Sequence, residues 1–127
     1  MGYVTGADMF ISKSVFHEIG KFDPNIFMYY EESDLQLKLK KANYHNYIID
    51  GTKIIHLEGA SINQAMPNNN KRIIVTKSMF YYFRKHSKNF NFKIFKIFFL
   101  TFRFMTILSI RYTWKEKKEY LIQIIKS

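Results

Sequence analysis

Residues 92–110, FKIFKIFFLTFRFMTILSI, hold thirteen large apolar side chains, no acid, and only Lys93, Lys96 and Arg103 as charges. The stretch reads as a helix of about 92–112, on which the three charges cluster on one side with Thr106 nearby. A wide apolar face and a narrow basic one describe a helix lying at a membrane interface, and basic residues outside would be attracted to anionic lipid. A full span needs about 20 apolar residues with few charges, and Arg103 falls near the middle, so this is not a transmembrane helix. The apolar face can instead be covered by neighbouring helices, by protein outside this chain, or by a second copy in a homodimer.

The rest of the chain limits what such a helix can belong to. At 127 residues it suits one domain with a modest core, and with 47% hydrophobic and 18% aromatic residues it is not a disordered chain. It has no cysteine, hence no disulfide framework and no thiolate metal site. The start, MGYVTGADMF, lacks the basic and apolar regions of a signal peptide. Gly6 stands where a myristoylation signal needs Ser or Thr. Charge is divided unevenly. Residues 1–70 hold six Lys/Arg and eight Asp/Glu, a net of −2, whereas residues 71–127 hold fourteen and two, a net of +12. That asymmetry points to an anionic partner for the basic half, either nucleic acid or a membrane surface.

Along the chain, YVTGADMFI (3–11) reads as a strand with a Gly inside it, a mark of close approach to the backbone. KSVFHEI (13–19) reads as a short helix, capped by Ser12 or Ser14 and closed by Gly20. KFDPN (21–25) is turn chemistry. In EESDLQLKLKK (31–41), Leu35, Leu37 and Leu39 alternate like a strand, yet residues 35–41 are all strong helix formers. Acids first, lysines last and an Asp34–Lys38 pair four apart favour a helix. YHNYIID (44–50) and TKIIHLE (52–58) read as short strands around Gly51, and a polar loop over 63–70 leads to helices of about 71–87, 92–112 and 114–125.

With the elements in this order, several motifs resemble the C-terminal half of a family-two glycosyltransferase of the GT-A type, closest in flavour to rhamnosyltransferase-like members. They are Gly6-Ala7, the turn Gly20-Lys21-Phe22-Asp23-Pro24, and FMYYEESDLQLK from Phe27 to Lys38. Asn43-Tyr44 follows where Gly-Tyr is usual, and Ile54-Ile55-His56 closes the pattern. The resemblance covers roughly residues 2–61. It implies an α/β (α+β) fold, a partial GT-A domain of short strands and helices followed by a helical segment. Residues 1–62 would be the acceptor-side catalytic half, 63–70 a loop, and 71–127 a basic, aromatic-rich helical tail. Two departures stand out. The usual Glu-Asp is Glu31-Glu32 here, and the family's nucleotide-sugar-binding half with its Asp-x-Asp is not in the chain, since no Asp-x-Asp occurs.

The resemblance implies sugar transfer from a nucleotide-sugar donor to a cell-surface polysaccharide or glycolipid acceptor, with inversion. Such a reaction needs one general base for the acceptor hydroxyl, and Glu32 is the candidate. Glu31 and Asp34 would orient it or bind acceptor hydroxyls, and mutual repulsion among the acids raises at least one pKa. The alternative for all three is plain first-turn chemistry, where acids are favoured anyway. Tyr29 and Tyr30 could stack on a sugar face, or pack in the core. Gly6 and Ala7 would let substrate approach the backbone, with Asp8 on the same side as Gly6 by strand alternation. His56 would complete a divalent site for Mn²⁺ or Mg²⁺ together with the missing Asp-x-Asp, or else hydrogen-bond to backbone at a strand end. His17, His45 and His86 show no ligand spacing and read as surface or structural residues.

The expected partners are therefore a nucleotide-sugar donor, a glycan or lipid-linked acceptor, and an anionic membrane surface, with the protein cytoplasmic and peripheral at the inner face of the plasma membrane. Without the donor-binding half, the chain alone is expected to be inactive. The competing class is a non-enzymatic binding module whose interleaved basic and aromatic tail, KSMFYYFRKHSKNF (77–90), holds nucleic acid. Nothing in the acidic half serves that role.

Overall fold

The structure, a computed structural model, describes residues 6–49, 51, 55, 68–105 and 112–127. In chain order these form a 3-10 turn (Gly6–Asp8), α1 (Lys13–Glu18), α2 (Glu31–Lys41), α3 (Asn68–His86), α4 (Asn89–Phe104) and α5 (Trp114–Ile125).

The described residues are helical with no strand, which corrects the expected α/β class. Residues 6–8 of the first expected strand are a 3-10 turn. Residues 44–49 carry no ladder, and Tyr47, Ile48 and Ile49 are exposed. An alternating pattern makes a strand only when a neighbour supplies hydrogen bonds. The neighbour expected for 44–50 was 52–58, most of which lies outside the described residues.

The helices form where local chemistry favours them. Val15 N–H donates to Ser12 Oγ at 3.3 Å to start α1. Gly20, at φ +85°, ends it, with Lys21 N–H bonded to Phe16 C=O at 2.9 Å. Asp23 Oδ1 accepts from the Asn25 backbone at 2.9 Å, the expected turn. The ambiguous 31–41 stretch is the helix α2, with Leu35 and Leu39 buried on one face. Thr113 and Glu116 close a reciprocal capping box on α5.

The main core joins α3, α4 and α5 through Ile73, Phe80, Phe92, Tyr120 and Ile124. Phe80 is its centre, with the Phe92, Phe95 and Phe99 rings edge-on to it at centroid distances of 6.0, 6.2 and 5.1 Å. Arg72 of α3 lies 3.9 Å from the ring centroids of both Tyr112 and Tyr120. Lys96 Nζ donates to Ile125 C=O at 3.2 Å, and Arg103 Nε donates to Tyr120 Oη at 3.3 Å, so α4 and α5 run antiparallel.

These two contacts set the orientation of α4. Lys96 and Arg103 face the protein, and the outward side carries Phe90, Ile94, Ile97, Phe98, Phe102 and Phe104, all exposed. The helical wheel finds the cluster of charges but not its direction. That is set by the C=O and hydroxyl acceptors that α5 presents.

Candidate active site

The candidate site is built at the head of α2. Tyr29 (φ 62°) and Tyr30 (φ 70°) are consecutive left-handed residues, an uncommon conformation for bulky side chains. They bend the chain into α2, and Tyr30 C=O accepts from Asp34 N–H at 2.9 Å. Tyr30 is held in this shape by packing, its ring 5.5 Å from Tyr82 and 6.5 Å from Phe83. It is half-buried against these rings. Tyr29 is half-buried, with Lys71 Nζ 5.9 Å from its ring centroid.

Past this bend the three acids diverge into different environments. The Glu32 carboxylate is half-buried, and its Oε1 accepts from Gly6 N–H at 3.2 Å. A Cβ on Gly6 would lie 2.7 Å from Glu32 Cγ and Oε1. What approaches the Gly6 backbone is thus Glu32 itself. Burial pushes the Glu31 carboxyl up, its own backbone hydrogen bond opposing and the Glu32 charge adding. Glu31 Oε2 is enclosed and has no hydrogen-bond partner among the described residues.

Asp34 is fully buried and surrounded by two lysines and a histidine. Lys38 lies 2.9 Å from Oδ2, and Lys85 and His86 lie 2.8 and 2.7 Å from Oδ1. Burial alone would raise its pKa, but these three partners hold it below the usual carboxylate value. Lys85 also reaches Asp23 at 2.6 Å, and Asp23 is likewise held low: burial raises it, Lys85 and Asn25 lower it more. Ser78 Oγ donates to Met28 C=O at 2.7 Å, and Tyr81 Oη to Asp23 at 3.2 Å. The C-terminal half of α3 therefore clamps both the turn before α2 and α2 itself.

Of the other expected site residues, Asp8 is exposed, and the 3-10 turn removes the alternation that would have set it beside Gly6. Ala7 belongs to the same turn. His56 lies outside the described residues. Among the described residues no three His, Cys, Asp or Glu side chains are grouped to hold a metal. Sequence reasoning missed Lys85, Asp23 and Tyr82 as supports. Asp34 and His86 are 52 positions apart, and no local pattern links them. A separate open groove of about 500 Å³, bordered by Lys77, Tyr81, Arg84 and Lys126, contains none of the expected site residues.

A carboxylate pair at a helix head, one member held by a backbone N–H and the other enclosed, can accept a proton from a hydroxyl brought against it. The chain is similar, over part of its length, to a glycosyltransferase. That relative is the N-acetylglucosaminyl-diphospho-decaprenol L-rhamnosyltransferase of two Mycobacterium tuberculosis strains, 30% identical over 56 residues, which is 44% of this chain and 18% of the relative. No family model matches the chain, and no solved structure does.

Proposed function

We propose that the chain is the acceptor-side part of an inverting glycosyltransferase that uses a nucleotide-sugar donor, with Glu32 as general base. In this reading Glu32 takes the proton of an acceptor hydroxyl while that oxygen bonds to the sugar C1. The C1–O bond to the nucleotide diphosphate breaks on the opposite face, and the leaving phosphate keeps the electron pair. Glu31 lies beside the base, and its ionisation is disfavoured by burial and by the Glu32 charge. Asp34 acts as a positioning residue, since its carboxylate is occupied by Lys38, Lys85 and His86 and fixes α2 against α3. Tyr29 is the aromatic candidate for a sugar face. The acceptor is a glycan or a lipid-linked glycan, and the working place is the cytoplasmic side of the plasma membrane. A divalent cation would belong to the donor-binding part with its Asp-x-Asp.

The observation that carries the reading is the Gly6 N–H on Glu32 Oε1, a carboxylate oriented from outside its own helix. The partial likeness to a rhamnosyltransferase supports the reaction class. The nucleic-acid reading loses its support in the tail, where Phe80, Tyr82 and Phe83 pack against other rings instead of offering a stacking platform. The test has two arms. The 127-residue chain alone should turn over no nucleotide sugar above a Glu32→Ala control. Combined with a donor-binding half, it should lose about 10²–10⁴-fold in kcat on Glu32→Gln while donor binding persists. A near-native rate for Glu32→Gln, with activity abolished by Glu31→Gln, would move the base to Glu31.

A further inference from the structure

The outward face of α4 has a polarity opposite to that of an ordinary surface helix. Phe90, Ile94, Ile97, Phe98, Phe102 and Met105 lie on one side of the helix, most of them three or four residues apart, and are all exposed, with the exposed polar residues Asn91, Lys93 and Thr101 among or beside them. The cations Lys96 and Arg103 are turned the other way, onto Ile125 C=O and Tyr120 Oη. Folded soluble chains rarely leave a contiguous apolar stripe of this size uncovered. The neighbouring α5 shows a second pattern on its exposed side, where Trp114, Ile122 and Ile125 alternate with exposed Lys115, Lys118 and Lys126. Amphipathic Trp and Lys beside aliphatic residues are the composition of a helix at a lipid–water boundary.

We infer that the α4 outer face, with the exposed side of α5, docks on an anionic lipid surface. Charge favours a lipid surface over a second copy of the chain. Residues 71–127 carry a net +12, so a second copy brought against this face would set two strongly basic surfaces together. An anionic bilayer offers the opposite sign together with apolar depth. The docking is lateral. α4 is tied along α5 at both Lys96 and Arg103, and its 16 residues rise about 24 Å, short of the ~30 Å hydrocarbon core. Among the described residues no helix is long and apolar enough to cross a membrane. The inference stands apart from the catalytic reading, because it needs no sugar transfer.

The test is flotation of the 127-residue chain with vesicles of phosphatidylcholine alone or mixed with phosphatidylglycerol, across a salt series, with Trp114 fluorescence as a second readout. The expected result is binding to the phosphatidylglycerol vesicles that weakens with salt. Phe98→Ser and Phe102→Ser should each lower the partition coefficient by roughly tenfold or more. Phe10→Ser, which removes a still more exposed ring elsewhere, should leave it unchanged. Circular dichroism checks that each variant is folded. No binding to the anionic vesicles at low salt overturns the inference, as does equal binding to neutral ones or binding indifferent to Phe98 and Phe102. A dimer seen by light scattering that Phe98→Ser dissolves, without vesicle binding, assigns the face to a second copy instead.

Discussion

The Gly6 amide and the Glu32 carboxylate meet at 3.2 Å across 26 residues of chain, and no side chain fits between them. The Gly6 amide proton should therefore report the presence of the Glu32 side chain. In an NMR spectrum at neutral pH, Glu32→Ala should shift the Gly6 amide resonance by removing its acceptor. Gly6→Ala should displace the Glu32 side chain at a stability cost below about 1 kcal/mol, because the displaced group is a flexible side chain rather than backbone. An unshifted Gly6 amide in Glu32→Ala would mean the contact does not form in solution.

Asp34→Asn removes the anion from among Lys38, Lys85 and His86. Loss of one partner from a buried ion pair costs about 3–5 kcal/mol when the remaining charge is fully buried. The two lysines keep partial access to water and Lys85 keeps Asp23, so the expected loss is smaller, roughly 2–3 kcal/mol. Urea denaturation at neutral pH measures it. A loss no larger than that of an exposed control such as Asp8→Asn would show that Asp34 does not hold α2 on α3.

Acid should loosen the same contact. Asp23 and Asp34 are held below their ordinary 3.8 in the folded chain. The unfolded chain therefore takes up their protons first, and the stability they supply is fully present above about pH 4 and is lost as the pH falls toward the folded values. Glu31 runs in the opposite sense: its raised pKa means that ionising it, as pH rises through the carboxylate range, costs stability. Thermal midpoints from neutral pH down to about pH 3 should fall, and the fall should flatten in an Asp23→Asn, Asp34→Asn double variant.

Arg72→Lys should destabilise the helical part by about 1–2 kcal/mol although charge is kept. A planar guanidinium packs between the Tyr112 and Tyr120 rings, each 3.9 Å away, and donates to Asn69 Oδ1 at 2.9 Å. An ammonium cannot do all three. Equal denaturation midpoints for Arg72→Lys and the parent would mean the stacking contributes nothing.

What the sequence determined by itself lies within one or two helical turns. Ser12 and Gly20 bound α1, the acids-first and lysines-last order makes 31–41 a helix, and Thr113 with Glu116 starts α5 at Trp114. Each rests on hydrogen bonds or charges a few positions apart, which a linear pattern encodes. The motif around Glu31, Glu32 and Asp34 was legible in the same way, as residue types at a helix head. Tertiary structure alone decided the rest. It separated the three acids, giving Glu32 to the Gly6 amide and Asp34 to Lys85 and His86. It left Tyr47, Ile48 and Ile49 without a ladder, where the sequence pattern promised a strand. It also turned Lys96 and Arg103 of α4 inward and Phe98 and Phe102 outward. The physical reason is common to all three. Alternation and helical periodicity state which residues share a face, but the direction of that face depends on partners 20 to 50 positions away, whose entropy of closure and hydrogen-bonding capacity no local pattern contains.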